Sequence, residues 1–295
     1  MASSLRSFRR EDVPAVLELS RHALKRPDEQ VGNPLWSTRD ELESELADWN
    51  PPPEETLFVA EEDTAVVGFG GIELPPGFDH AELFGPLVVV RARGQKIGTR
   101  LLEASLARAR AAGVRFVWGT VGTQNMSLRM LLESVGFAAR GAPGAAYRLT
   151  RAEHRPLEHP PEGIDVRRGR SADFDAVYAL YRECFPAGRF PESVWKSSLA
   201  GGTVYVAERG GSPVAMLNID PGDRWIYHVG VAESERGRRI GAHLLSRSLE
   251  LYWADHPNES LGLDVDADNV PAIRMYRRQG FTPWFVYQNL ELALV

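Results

Sequence analysis

The segment Arg236-Gly-Arg-Arg-Ile-Gly241 has the residue types of an anion-binding turn. It follows an apolar stretch at 225–232, which predicts a strand, and it precedes a predicted helix. The first turn of a helix carries unpaired backbone N–H groups and the positive end of the helix dipole, and glycines let an anion approach that backbone closely. The pattern predicts a site for a pyrophosphate. Its alternative is a glycine turn with no ligand.

A second group of residues suited to chemistry follows the next predicted strand. Asn269-Val-Pro-Ala-Ile-Arg-Met-Tyr276 begins 28 positions after Gly241 and is followed by Gly280-Phe281. A tyrosine phenol has a pKa of about 10 and keeps its proton at neutral pH, so Tyr276 can act as a general acid. The alternative is an aromatic side chain that only packs against its surroundings.

These segments occur twice in the chain. Four pairs align in the same order, with offsets of 161, 147, 143 and 144 positions. A nearly constant offset with one early change predicts a duplicated domain whose first copy has extra residues near 27–55. The pairs are Asp12–Leu19 with Asp173–Leu180, Leu57–Glu61 with Val204–Glu208, Arg93–Gly98 with Arg236–Gly241, and Asn125 and Gly136-Phe137 with Asn269 and Gly280-Phe281.

The elements that position these motifs alternate between strands and helices. Residues 151–163 contain three prolines and little apolar content, which is typical of a linker, so the predicted domains are 1–150 and 164–295. A stripe from Ile240 to Tyr252 has helical spacing, and Ile97 to Ala109 repeats it in the first copy. The strands predicted in the second copy are 203–208, 213–219, 225–232, 261–266 and 284–292.

The two motifs together resemble the signature of the GNAT family of acyl-CoA N-acyltransferases. The second copy carries it in HVGVAESERGRRIGAHLL and LDVDADNVPAIRMYRRQGF. The first copy carries it in PLVVVRARGQKIGTRLL and GTQNMSLRMLLESVGF. The resemblance covers essentially the whole chain and implies an α/β fold, with a mixed sheet in each of two tandem GNAT domains.

The resemblance also implies where a cofactor would bind. Acetyl-CoA would lie between the strand at 225–232 and the strand at 260–266, and Tyr276 would protonate the departing CoA thiolate. The backbone amides of Val229 and Val231 would hold the pantetheine arm and polarise the thioester carbonyl. The implied cofactor-binding residues are Val229, Gly230, Val231, Arg236, Gly237, Arg238, Arg239, Ile240, Gly241, Ala242 and Asn269, with Asn269 anchoring either the pantetheine or the helix that follows it.

Two departures from the family pattern distinguish the copies. Arg239 and Lys96 stand where the family has the first glycine of the turn, and each cation either attracts a phosphate or crowds it. The position of Tyr276 is taken in the first copy by Leu132, which cannot transfer a proton. We therefore expect the second copy to be catalytic and the first to be degenerate, structural or merely CoA-binding.

The general base is not identified by the sequence. The strand before the turn offers His228, whose side chain has a suitable intrinsic pKa but can equally be structural or line the substrate. Asp220 and Glu183 are weaker choices. In the first copy, His80 and Glu82 precede the turn and are interpreted as surface residues.

Aromatic residues gather in the first helical region of the second copy. Tyr178, Tyr181, Phe185 and Trp195 either line an acceptor pocket or, as their spacing favours, pack in a core. The prolines at 51–53 and the stretch from Trp36 to Trp49 either form a lid or a domain contact, or are a solvated loop.

Composition excludes several classes of protein. The chain has 295 residues, of which 43% are hydrophobic and 25% charged, with a net charge of −6 and no basic block, so nucleic acid is a poor candidate partner. No apolar stretch reaches the ~18 residues of a membrane helix, and the first residues lack the apolar run of a secretory signal. The lone Cys184 allows neither an intrachain disulfide nor a thiolate metal cluster. These features predict a cytoplasmic protein without a metal.

The sequence thus predicts an N-acetyltransferase that uses acetyl-CoA on a primary amine of a small molecule or a peptide. It predicts either a monomer, in which the tandem pair replaces the family's dimer contact, or a homodimer. One alternative is a non-catalytic acyl-CoA-binding regulator, and another is an interaction protein with no cofactor. A third is an enzyme like the mycothiol synthases, which are tandem members of the same family. The strand-borne Glu base expected of those enzymes is replaced here by Trp225.

Overall fold

The computed structural model describes residues 3–47 and 49–294. The chain divides into two compact units. The first consists of Met1–Gly144 with Phe285–Val295, and the second of Ala145–Trp284.

The first unit is a mixed sheet covered by helices. Its strands lie in the order β1-β2-β3-β4-β5-β12, and every pairing in this series is antiparallel except that of β4 with β5. Buried side chains of β2, β3 and β4 form its core with those of α1, α2 and α4. Its elements are β1 (Ser4–Ser7), α1 (Val13–Leu24), α2 (Arg39–Ala47), α3 (Pro53–Thr56), β2 (Leu57–Glu62), β3 (Ala65–Glu73), β4 (His80–Val88), α4 (Ile97–Ala112), β5 (Phe116–Gly122), α5 (Met126–Ser134), the beginning of β6 (Ala138–Leu149) and most of β12 (Thr282–Ala293).

The second unit repeats this plan. Its strands lie in the order β7-β8-β9-β10-β11-β6, and β10 with β11 is the parallel pair. The stripe predicted from Ile240 to Tyr252 is buried against the sheet, as is its counterpart in α4. Its further elements are β7 (Asp165–Arg168), α6 (Phe174–Cys184), α7 (Glu192–Gly201), β8 (Val204–Arg209), β9 (Ser212–Asp220), β10 (Trp225–Val231), α8 (Ile240–Asp255), β11 (Leu261–Asp266) and α9 (Val270–Arg278). The predicted α/β class with two tandem copies is confirmed.

The last strand of each unit's sheet does not come from the predicted copy to which that unit corresponds. The C-terminal strand β12 pairs with β5 of the first unit, from Tyr287↔Gly122 to Ala293↔Phe116. The end of β6 lies beside β11 in the second unit. The compact units therefore do not follow the linear division at 150 and 164, and residues 151–163 belong to the second unit.

An ion network near the start of each copy is duplicated atom for atom. Arg6 Nη1 donates to Asp12 at 2.7 Å and Arg6 Nε to Glu61 at 3.1 Å. In the second copy, Arg167 Nη1 donates to Asp173 at 2.7 Å and Arg167 Nε to Glu208 at 2.9 Å. The shared geometry supports the duplication independently of the glycine motifs.

The extra residues of the first copy are partly helical. Thr38 Oγ1 accepts from the backbone N–H of Glu41, and Glu41 Oε2 accepts from that of Thr38, which forms a capping box at the start of α2. Leu42 and Leu46 of α2 are buried, as is Trp36 just before it. The alternative of a solvated loop between Trp36 and Trp49 is therefore wrong.

Candidate functional site

A bulge in β10 determines how this strand presents its backbone. The register with β9 shifts after Tyr227↔Asn218 and resumes at Gly230↔Met216, and His228 in the bulge has a left-handed φ of 53°. Backbone N–H groups alternate in direction along a strand, and the Ala232 N–H donates to Val214 O of β9. The amide of Val231, beyond the bulge, therefore points away from β9, towards β11.

The gap that this amide faces begins where β10 and β11 stop pairing. Their parallel register consists of Trp225↔Gly262 and Ile226↔Leu263, although both strands continue beyond it. An extended polar ligand can therefore bond to the free edge of β10, as a further strand would.

The predicted anion turn lies at the end of this edge. Arg239 is the N-cap of α8 with a left-handed φ of 62°, and Gly237 has a φ of 77°. Arg236 Nε donates to Val231 O at 3.2 Å, which ties the turn to β10. A Cβ on Gly241 would lie 3.2 Å from Val231 Cγ2, so glycine permits the close packing of α8 on this strand. The exposed backbone at the start of α8 can hold a phosphate group.

Asn269 and Tyr276 lie on the next helix. Asn269 Oδ1 accepts from the backbone N–H of Ala272 at 3.3 Å and caps α9, so its side chain anchors the helix. Tyr276 is 6% exposed and packs edge-on against Phe281. Burial, helped by the negative charge of Asp264, raises the pKa of Tyr276 above its usual range, so the phenol stays protonated. Packing and proton donation are compatible at this position.

His228 lies among aromatic rings. Its ring centroid is 4.3 Å from that of Phe190, 5.1 Å from Tyr181 and 5.2 Å from Phe185. Its Nδ1 is buried and has no hydrogen-bond partner within the described part of the chain. Burial lowers the pKa of His228 to about 4, so the imidazole is neutral and weakly basic at pH 7.

The other two candidate bases bond to nearby backbone. Asp220 Oδ1 accepts from the N–H of Gly222 at 2.8 Å, as in an Asx turn. Glu183 Oε1 accepts from the N–H of Glu233 at 2.6 Å. Both carboxylates thus stabilise turns on either side of β10.

The four aromatic residues predicted as a pocket or a core contribute mainly to the core. Tyr181 and Trp195 are fully buried, and Tyr178 and Phe185 pack against the same cluster at its edge. The sequence reasoning did not include Phe190, whose backbone N–H donates to the Tyr181 hydroxyl. No local pattern marks this loop residue.

The first unit repeats the turn but differs at the bulge. Lys96 has a φ of 59°, Arg93 Nε donates to Val88 O, and Asn125 Oδ1 caps α5 through Leu128 N. With the offset of 143, Gly85 and Pro86 of β4 correspond to His228 and Val229 of β10. Proline has no backbone N–H, so β4 lacks at Pro86 the backbone N–H that β10 has at Val229.

His80 is not a surface residue, so this prediction is wrong. It is 8% exposed and stacks on Phe116 with ring centroids 5.2 Å apart, because it begins β4 beside the parallel strand β5. Glu82 is half-buried and accepts from Asn33 Nδ2 at 3.1 Å.

Neither a metal-binding cluster nor a membrane-spanning helix is found in the part of the chain that the structure describes. Within residues 3–47 and 49–294, no three His, Cys, Asp or Glu side chains are grouped so that they could hold a metal ion. None of the helices described is long and apolar enough to span a bilayer.

Comparison with known proteins gives consistent matches. The model of the acetyltransferase (GNAT) family matches residues 21–137 and 174–281. A mycothiol acetyltransferase of Clavibacter sepedonicus is 26% identical over 281 residues, covering 88% of this chain and 91% of the relative. A mycothiol acetyltransferase of Mycobacterium avium is 28% identical over 255 residues, covering 75% of this chain and 77% of the relative.

Solved structures match over nearly the whole chain. A GCN5-related N-acetyltransferase from Sphaerobacter thermophilus has a TM-score of 0.76 at 20% identity and covers 99% of this chain and 95% of its own. A tandem GNAT protein from the clavulanic acid biosynthesis pathway has a TM-score of 0.66 at 19% identity, covering 99% and 98%. At this identity the structures show a common fold.

Proposed function

Because this chain belongs to the acetyltransferase (GNAT) family, in which it is an acetyl-CoA-dependent N-acyltransferase with two tandem domains, we propose that its second unit performs the reaction. The acceptor is a primary amine of a small molecule or a peptide. The observation that carries the proposal is the contrast between Tyr276 on α9 and Leu132, its buried counterpart on α5. A proton donor is available in the second copy and is replaced by an aliphatic side chain in the first.

The free edge of β10 and the turn before α8 fit the two parts of the co-substrate. The amides of Val229 and Val231 would bond to the pantetheine arm, and one of them would polarise the thioester carbonyl. Residues 236–242 would hold the pyrophosphate with the N–H groups at the start of α8, assisted by the exposed Arg239.

Transfer requires one proton to leave the amine and one to reach the sulfur. The neutral amine attacks the thioester carbon, the C–S bond breaks, and the Tyr276 hydroxyl gives its proton to the thiolate. His228, with a pKa of about 4, is too weak a base to hold the amine proton at pH 7. We therefore propose that this proton leaves through water and that His228 lines the acceptor side as a neutral ring.

The test is release of the CoA thiol by the Tyr276→Phe variant. We expect turnover to fall about 10²- to 10⁴-fold, the usual range for loss of a general acid, with little change in acetyl-CoA affinity. Tyr147→Phe is the matched control, because Tyr147 is buried in the same cluster. Unchanged turnover would remove Tyr276 from the mechanism. Binding of acetyl-CoA without thiol release on any amine would favour the regulatory alternative.

A second candidate reaction is suggested by the curated relatives, which are named mycothiol acetyltransferases. Trp225 distinguishes this chain from the pattern expected of those enzymes, since its indole packs on Gly262 where a carboxylate base was expected. Assaying the unacetylated precursor of mycothiol beside a panel of other amines decides between mycothiol acetylation and acetylation of another amine. A clear preference for the precursor would replace the broader assignment.

A further inference from the structure

In the first unit, a segment of the extra residues is bonded to the edge of β5. Val31 forms an antiparallel bridge with Val121. On either side of this pair, the Gly32 N–H donates to Thr120 O at 2.8 Å and the Gly122 N–H donates to Gln30 O at 3.0 Å. The N–H of Thr123 next along the chain donates to Val286 O of β12, so the segment occupies the opposite edge of β5, the one that faces β4.

The same segment is also bonded to β4. The Gly85 N–H donates to Asn33 O at 2.8 Å, and Asn33 Nδ2 donates to Glu82 at 3.1 Å. The direct pairing of β4 with β5 ends at Glu82↔Trp118. Residues 30–33 therefore fill the gap that opens between the two parallel strands beyond this point.

The fit of the segment is close. Val31 and Gly32 are buried, and a Cβ on Gly32 would lie 2.2 Å from Thr120 Cβ. A Cβ on Gly122 would lie 3.0 Å from Gln30 Cβ. Glycines on both sides thus allow the two backbones to approach, which leaves no room for another chain-like ligand.

Two side chains of the first unit, one in the anion turn and one at the cap of α5, are bonded to this segment. Glu29, which is 8% exposed, accepts from Arg93 Nη1 at 3.2 Å and pairs with Arg26 at 2.6 Å. Arg93 is the counterpart of Arg236 in the anion turn. Asn125, the counterpart of Asn269, donates through Nδ2 to Gln30 O at 3.1 Å. The Glu29 carboxylate therefore bonds to Arg93, whose counterpart is expected to meet a phosphate. The Gln30 carbonyl bonds to Asn125, whose counterpart is expected to lie near the pantetheine arm.

The corresponding residues of the second unit bond elsewhere. After α6, the Gly188 N–H donates to Phe185 O and the Phe190 N–H donates to the Tyr181 hydroxyl, both at 2.8 Å. These bonds keep that loop on the aromatic cluster around His228. The offset between copies falls from 161 to 147 across this region, so the filling segment lies in a stretch where the first copy has 14 more residues than the second.

We infer that residues 29–33 are a built-in occupant of the first unit's acetyl-CoA cleft, a peptide that takes the place of the pantetheine arm. The chain then binds a single acetyl-CoA, and the first unit supports the fold without binding the co-substrate. The placement of acetyl-CoA in the second unit rests on the proposed function. The occupation of the first unit's cleft by residues 29–33 does not.

Calorimetric titration with acetyl-CoA tests the stoichiometry. We expect one equivalent for the wild type, one for Gly98→Trp and none for Gly241→Trp, since these glycines are equivalent positions of the two turns. Two equivalents for the wild type, reduced to one by Gly98→Trp, would overturn the inference and leave the proposed function standing. One equivalent that is lost in Gly98→Trp and kept in Gly241→Trp would overturn both.

Amide hydrogen exchange tests the occupation itself, without a variant that must fold. The N–H groups of Gly32, Gly85 and Gly122 should exchange at least about tenfold more slowly than exposed amides, with or without acetyl-CoA. Those of Val229 and Val231 should become protected only when acetyl-CoA is added. Fast exchange at Gly32 and Gly122 in the free protein, or protection that appears there only with acetyl-CoA, would overturn the inference. If no acetyl-CoA binds at all, the proposed function fails. The exchange rates of Gly32 and Gly122 in the free protein then still show whether residues 29–33 occupy the cleft of the first unit.

Discussion

His228 and Gly85 hold the same left-handed backbone at equivalent bulges, with φ of 53° and 73°. Glycine adopts this conformation freely, whereas a histidine does so at a cost of about 1 kcal/mol. In the second unit that cost is accompanied by contacts of the imidazole with the rings of Phe190 and Tyr181. The strained residue, His228, therefore lies at the cleft of the second unit, which is proposed to be active. Its counterpart Gly85 lies at the cleft of the first unit, which residues 29–33 are inferred to fill.

The buried imidazole predicts a dependence of stability on pH. The pKa of His228 is lowered to about 4 in the folded protein, below its value of about 6.5 in the unfolded chain. Between these values the unfolded state binds more protons, so the free energy of unfolding falls as the pH falls, by at most about 1.4 kcal/mol per pH unit.

Urea denaturation of the wild type and of His228→Gln at pH 7 and pH 5 measures this effect. We expect the variant to lose less stability than the wild type between the two values. The control is His159→Gln, because His159 is exposed and should behave as the wild type does. Equal losses in the wild type and His228→Gln would show that His228 titrates normally.

Asp173 predicts a second loss of stability on acidification, at a lower pH than that of His228, since it is a carboxylate with a lowered pKa. The Arg167 guanidinium donates to it at 2.7 and 2.9 Å, and the Arg170 N–H at 2.7 Å, which together lower the pKa of Asp173. The stabilisation is complete above the unfolded pKa of about 3.9 and is lost as the pH falls through the folded value.

We expect Asp173→Asn to lower the free energy of unfolding at pH 7 by about 2 kcal/mol, the usual size for hydrogen bonds to a charged group. The difference from the wild type should shrink in urea titrations near pH 3. Asp175→Asn is the control, because Asp175 is exposed in the first turn of α6. A loss in Asp173→Asn that is constant between pH 7 and pH 3 would mean that shape, and not charge, is responsible.

The motifs could be read from the sequence because their chemistry is local. A left-handed N-cap before α8 and an Asn cap before α9 depend on a few consecutive residues, so residue types and spacing, together with the family resemblance, indicated Arg236–Gly241 and Asn269–Tyr276. The occupant at Glu29–Asn33 could not be found in this way, because its bonds to β4, β5 and Asn125 reach residues 49 to 95 positions away. The exchange of β6 and β12 was also missed, because the pairing of β12 with β5 joins segments more than 160 positions apart and no local pattern marks it.

Arg239 and Lys96 make a matched pair for testing the charge in the anion turn. Both have a left-handed φ, 62° and 59°, so glycine retains the backbone conformation and removes only the side chain. Arg239→Gly is expected to weaken acetyl-CoA binding about threefold to tenfold at low salt, with a smaller effect at 0.5 M salt as screening increases. Lys96→Gly should leave the affinity unchanged. Equal weakening by both variants in calorimetry would contradict a single site in the second unit.

Trp225 and Gly262 predict a position that tolerates no larger residue. These two residues are paired at the start of the parallel β10–β11 ladder, and a Cβ on Gly262 would lie 2.0 Å from Trp225 Cζ3. Gly262→Ala should displace the indole and lower the free energy of unfolding by about 1–3 kcal/mol, as overpacking does in buried sites. Because the displaced ring lies at the closed end of the proposed cleft, turnover should fall as well.

Gly201→Ala is the control for this change, since a Cβ on Gly201 would meet nothing within 4 Å. Its stability should stay within about 0.5 kcal/mol of the wild type, and its turnover should be unchanged. The double variant Trp225→Ala/Gly262→Ala removes the clash and should be less destabilised than the sum of the single changes. Additive losses in urea denaturation would show that Trp225 and Gly262 do not depend on each other.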